Sequence, residues 1–155
     1  MELCLGTVQF GMDYGILNQK RPELSDAVDW LDYATQNGIC AIDTAKAYGS
    51  AEKVVGEFLK RKTIPRDQLF VSTKLLPNIL DDVEEKDYEK VIEREITAQL
   101  RTLSTDYVDA YIFHSARYAF DLAKLEAIHT VVDKGYARKC GVSVYEPEEA
   151  IACYK

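Results

Sequence analysis

Five short runs of strand-forming residues recur along this chain, each followed by a stretch with helical spacing. That alternation limits the fold more than any other feature. The runs end near residues 9, 43, 74, 114 and 143, so successive ends lie roughly 30 to 40 residues apart, the length of one strand–helix unit. In the first interval, Ala27, Trp30, Leu31 and Ala34 fall at i, i+3, i+4 and i+7, one face of a helix, and Asn37-Gly38 stops it. Ser50 is placed to cap a second helix carrying Val54, Val55, Phe58 and Leu59, which Ile64-Pro65 breaks. Tyr88, Ile92, Ile96, Leu100 and Leu103 mark a third. Leu122, Leu125, Ile128 and Val132 mark a fourth, with Gly135 to end it. Pro147 suits the first turn of a fifth, which runs to the chain end at Lys155. Strands and helices alternating in this way imply a parallel sheet with helical crossovers. No linker or composition break interrupts residues 1–155, which read as one domain without a second.

Composition narrows the function classes. Apolar residues make up 47% and charged residues 29% of the 155, globular rather than disordered proportions. A net charge of −7 opposes binding to nucleic acid or to acidic membranes, which takes a basic surface. No apolar run reaches the length of about 18 residues that suggests a membrane span, and Met1-Glu2-Leu3-Cys4 lacks the features of a signal peptide. The cysteines at 4, 40, 140 and 153 have no metal-like spacing; Cys40 and Cys140 lie in apolar runs, where a thiol serves as a small hydrophobe. A reduced, cytoplasmic protein is expected. The basic cluster Lys60-Arg61-Lys62 reads as a partner for a helix C-terminus. The acidic stretch from Asp81 to Asp87 reads as a solvated loop feeding the third helix, with a metal site there as the lesser reading.

Three of the strand runs end in ionisable residues. Ile39-Cys40-Ala41-Ile42 leads into Asp43, with Tyr48 five residues on; Leu69 to Thr73 leads into Lys74; Tyr107 to Phe113 leads into His114. The carboxyl ends of strands are where parallel strand–helix arrays place their chemistry. Each residue also has a plain reading: Asp43 as a helix cap, Tyr48 as packing, Lys74 as a rim lysine with its head in water, His114 as a satisfied strand-end histidine. His129, within the fourth helical pattern, keeps the plain reading. Three such residues at successive strand ends, with Tyr48 close behind the first, point instead to one catalytic constellation.

The run Asp43-Thr44-Ala45-Lys46-Ala47-Tyr48-Gly49-Ser50-Ala51-Glu52, then Ser72-Thr73-Lys74, then the strand ending in His114 resemble the aldo-keto reductase family. So do the opening Leu5-Gly6-Thr7-Val8-Gln9-Phe10-Gly11 and the late Gly141-Val142-Ser143. The resemblance implies a (β/α)8 barrel of the TIM type, of which about five strand–helix units are present here. It also implies a nicotinamide cofactor (NADPH, with NADH as the alternative), a small carbonyl substrate, and a tetrad of Asp43, Tyr48, Lys74 and His114. Ser143 would contact the nicotinamide carboxamide, although Val144 stands where the family often has an asparagine. Gly11 and Gly15 would allow a close approach near the cofactor. No GxGxxG or P-loop pattern is present.

In that chemistry the cofactor supplies a hydride and the protein supplies a proton. Tyrosine, with an ordinary pKa of about 10, is a poor acid unless a neighbouring cation stabilises the phenolate. Lys74 offers that charge, Asp43 orients it, and His114 can hydrogen-bond the carbonyl oxygen. Such barrels have eight strands and bind phosphate in the loops after strands seven and eight. A five-strand array therefore leaves β-edges open and implies self-association or a complementing C-terminal half. It should also expose Val142, Val144, Ile112 and their neighbours, forgoing on the order of 10 kcal/mol of burial. The alternative function is that of a non-catalytic α/β fragment, a binding or assembly module.

Overall fold

The computed structural model describes residues 3–16 and 19–154. Met1 and Glu2, on which part of the N-terminal reading falls, and Lys155 lie outside them. Five parallel strands form one sheet in sequence order: β1 (Cys4–Gly6), β2 (Ala41–Asp43), β3 (Phe70–Leu75), β4 (Ala110–Phe113) and β5 (Cys140–Val142). The helices α1 (Val8–Gly11), α2 (Leu24–Gln36), α3 (Ala51–Arg61), α4 (Tyr88–Leu103), α5 (Leu122–Asp133) and α6 (Pro147–Tyr154) alternate with them. β1 and β5 are the edges of the sheet, as five units of an unclosed barrel require. No helix among the described residues is long and apolar enough to cross a membrane.

Side chains alternate across a strand, and the register joins that alternation into two faces. Ile42 pairs with Val71, Thr73 with Tyr111 and Leu75 with Phe113; all six are almost fully buried. Against them pack Val28 and Leu31 from α2, Val55 and Phe58 from α3, Ile92 and Ile96 from α4, and Ile128 from α5, forming a single core. The other face carries Asp43 beside Ser72, Ser72 beside Ala110, Lys74 beside Ile112, and Ile112 beside Gly141. None of these belongs to the core.

Several sequence expectations are corrected. The first strand ends at Gly6, not near residue 9, and Val8–Gly11 is a single helical turn. Thr7 extends the pairing by one N–H to the Asp43 carbonyl (3.0 Å), and Phe10 then bonds back to Thr7. The buried residues of α2 are Ala27, Val28, Leu31, Asp32 and Thr35, and Trp30 is 54% exposed, its ring 6.2 Å from Phe10. In α5 the buried residues are Ala127, Ile128 and Val131, with Leu122 exposed. Both errors have one cause: a 3.6-residue period read from a few apolar positions can be phased one residue off. Val142 does not face the open side. It shares a face with Cys140, whose thiol reaches the Ile128 carbonyl in α5, and both pack on the core. Burial pushes the Cys140 thiol up to about 11, so it stays an unreactive hydrophobe.

The turns follow local chemistry. Asn37 closes α2 and Gly38 follows with φ +89. Lys62 takes the left-handed position after α3, while Lys60 pairs with Glu57 and Arg61 with Asp29 and Asp32. In the acidic stretch Asp81 is tied to Arg117 and Tyr118. Among the described residues no group of three His, Cys, Asp or Glu side chains is placed to hold a metal.

Candidate active site

The site lies where β2, β3 and β4 end. Lys74, on β3, projects to the open face with only 5% of its side chain exposed. Its Nζ donates to Asp43 Oδ2 at 2.6 Å and to the Thr44 carbonyl at 2.9 Å, which accounts for two of the three ammonium hydrogens. The same nitrogen sits 4.8 Å from the centroid of the Tyr48 ring, within the range of a cation–π contact. Asp43 does not act as a helix cap. Its second oxygen accepts from Ser72 Oγ at 2.7 Å, so both oxygens are committed to holding and orienting the lysine.

Tyr48 reaches in from the turn between β2 and α3, and close backbone packing fixes that turn. A Cβ on Gly11 would stand 1.7 Å from the Tyr48 carbonyl oxygen and 2.4 Å from the Ala51 nitrogen. Gly49 adopts φ +60, where a side chain is strained, and its own Cβ would meet the Gly11 carbonyl at 2.4 Å. Ser50 completes the join by donating N–H and Oγ–H to that carbonyl at 3.1 and 3.2 Å. Ser50 does stand at the N-cap position of α3, but its hydroxyl makes no capping bond to that helix; it holds the α1 turn instead. Gly11, expected beside the cofactor, is buried in this join.

His114 follows β4, its ring edge-on to Tyr48 with centroids 5.6 Å apart. Burial lowers its pKa below the ordinary value and the Lys74 charge lowers it further; Asp43 opposes both. The imidazole is thus favoured in its neutral form near pH 7. Its Nδ1 is buried without a hydrogen-bond partner among the described residues. Ser143 lies just past β5, its N–H donated to the Phe113 carbonyl at 2.8 Å.

The structure thus gathers Asp43, Tyr48, Lys74 and His114 into one cluster, with Ser143 on the neighbouring strand end. Sequence reasoning missed Ser72 and Thr44. Ser72 stands two residues before Lys74, so the two-residue strand period places it on the same face; that signal was available. The Thr44 carbonyl gave no signal, since a backbone acceptor is invisible in residue types.

A family model described as the Aldo/keto reductase family matches residues 2–154. A Schizosaccharomyces pombe NAD/NADP-dependent indole-3-acetaldehyde reductase is 31% identical over 145 residues, covering 90% of this chain and 45% of that protein. Saccharomyces cerevisiae D-arabinose 1-dehydrogenase is 32% identical over 139 residues, covering 84% of this chain and 41% of its own length. Among solved structures, a Klebsiella pneumoniae aldo-keto reductase in complex with NADPH superimposes with a TM-score of 0.70 at 26% identity, over 96% of this chain and 47% of that one. The chain thus spans less than half the length of each of these relatives. With the family match running almost end to end and the relatives above 30% identical over most of its length, the chain belongs to the aldo/keto reductase family.

Proposed function

We propose that this chain carries the proton-handling half of an NAD(P)H-dependent carbonyl reductase, acting on an aldehyde or ketone. The observation that carries this reading is the placement of the Lys74 ammonium, held by Asp43 at 2.6 Å, over the Tyr48 ring. When bound, a reduced nicotinamide supplies the hydride. Tyr48 donates the proton to the carbonyl oxygen, with the Lys74 ammonium beside its ring. A neutral His114 with its proton on Nε2 has one donor to offer that oxygen, and leaves Nδ1 as a bare acceptor rather than a costlier orphaned N–H. The residues present fit the nicotinamide end. On the open face small residues stand beside Ser72 (Ala110) and beside Ile112 (Gly141), and the Ser143 hydroxyl makes no hydrogen bond among the described residues, leaving it free for a carboxamide. The strands that would close the barrel come from a complementing C-terminal half or from association with a second copy.

Single-turnover reduction of an aldehyde with NADPH, run on the chain and on Tyr48→Phe, tests this reading. Loss of turnover in the variant with cofactor affinity kept supports it. Wild-type turnover in Tyr48→Phe overturns the assignment of the proton donor, and cofactor binding without any turnover in the parent chain favours the binding-module reading.

A further inference from the structure

Directly behind Lys74, on the helix side of the sheet, lies a polar cluster inside an otherwise apolar core. Glu52 in the first turn of α3 is 3% exposed, Thr73 and Gln99 0%, and Tyr111 0%. Glu52 Oε1 accepts from Thr73 Oγ1 at 2.8 Å and from Gln99 Nε2 at 2.6 Å. Gln99 Nε2 also reaches the backbone carbonyl of Lys74 at 3.1 Å and Thr73 Oγ1 at 3.1 Å. Tyr111 donates its hydroxyl to Gln99 Oε1 at 2.8 Å, which fixes the amide with its nitrogen toward Glu52 and Lys74.

A carboxylate in such a place is costly. No lysine or arginine forms an ion pair with Glu52 among the described residues, so neutral donors satisfy the bonded oxygen. The cluster is also placed unlike an ordinary buried polar group. Glu52 stands one helical turn after Tyr48; Thr73 precedes Lys74 in β3; Gln99 holds the Lys74 carbonyl; Tyr111 stands three residues before His114 on β4. One network therefore joins the three elements that carry Tyr48, Lys74 and His114, and α4 is its hub.

We propose that Glu52, Thr73 and Gln99 form a buried positioning network that sets where Lys74 sits relative to Tyr48 and His114. This rests on reading those residues as a carbonyl-reducing site. None of the three touches the reacting atoms; they act through the β3 backbone and the start of α3.

The test is the NMR titration of the His114 imidazole in the 155-residue chain, with exposed His129 in α5 as the reference in the same sample. The charged and titratable groups around His114 are Lys74, Asp43 and Tyr48. If Glu52→Leu or Thr73→Val releases Lys74, the repulsion that helps lower the His114 value weakens, and its midpoint rises by about half a pH unit or more. Glu52→Gln keeps an acceptor oxygen and returns the midpoint to the parent value. A network that merely stabilised the fold would lower the unfolding midpoint and leave the His114 curve of the folded protein in place. Folded variants with an unmoved His114 overturn the proposal; if Glu52→Leu does not fold, Thr73→Val alone decides it. The readout needs neither cofactor nor turnover. An active enzyme with an unmoved His114 therefore overturns the network alone, and a shifted His114 in a chain that still reduces nothing once the strands closing the barrel are supplied overturns the functional reading alone.

Discussion

The two faces of the sheet are built on opposite principles. The helix-covered face carries Ile42, Val71, Leu75, Tyr111 and Phe113, each 0–1% exposed, packed against four helices. The open face carries Asp43, Ser72, Lys74, Ala110 and Gly141, with Ile112 and the 42%-exposed Phe70 as its larger apolar residues. Hydrophobic burial, and so most of the stability, is concentrated in one layer, and the ionisable chemistry in the other. An open barrel interior lined by small and polar residues also leaves less apolar surface bare than the same strands filled with valine and leucine. Val142, expected there from the sequence, lies on the covered side.

This division can be broken by substitutions on either face. The largest expected effect is on turnover. Tyr48→Phe should lower kcat by about 100- to 10,000-fold and move stability by less than about 0.5 kcal/mol, because the Tyr48 hydroxyl makes no hydrogen bond among the described residues; single-turnover kinetics and urea unfolding on the same sample check both. Phe58→Ala on the covered side should cost about 3–5 kcal/mol, read from the denaturant midpoint, while the His114 resonance of the folded protein stays in place. A matched pair is finer. Ile96→Ala, at a fully buried position, should cost about 2–5 kcal/mol, and Ile112→Ala, on the open face, less than about 1 kcal/mol. Equal costs would show that the open face is packed after all.

The smallest effect is the pH dependence, and it too separates the faces. The folded-state pKa of His114 is lowered by burial and by Lys74, so the unfolded chain binds this proton more readily than the folded one. Its contribution is fully present above the unfolded value of about 6.5 and is lost as pH falls from there toward the folded value. His114→Gln should therefore flatten the decline of the unfolding temperature across that window. On the covered side Cys140, raised to about 11, adds nothing there. An unchanged slope in His114→Gln would place the imidazole in water.

Much of the covered face was legible in advance. Val54, Val55 and Phe58, and Ile92, Ile96 and Leu100, recur at helical spacing because a helix must turn an apolar stripe to its sheet. The same spacing misplaced Trp30 and Leu122, since periodicity gives the existence of a stripe more surely than its phase. The tetrad could be picked out because the strand ends locate it. What surrounds it could not: the Thr44 carbonyl under Lys74 and the Gln99 amide gripping the Lys74 carbonyl are backbone contacts, and residue types carry no trace of them.

By itself the sequence determined the alternation of strand and helix, the parallel order that follows from it, and which ionisable residues end which strands. These depend on local periods and on chain connectivity, both written in one dimension. Only the tertiary structure decided which way Val142 faces, that Gly11 lies beneath the Tyr48 turn, and that Glu52, Thr73, Gln99 and Tyr111 meet behind Lys74. Those outcomes depend on register between strands far apart in the chain and on the rotation of each helix against the sheet. Packing sets both, because a one-residue slip would exchange the two faces of a strand.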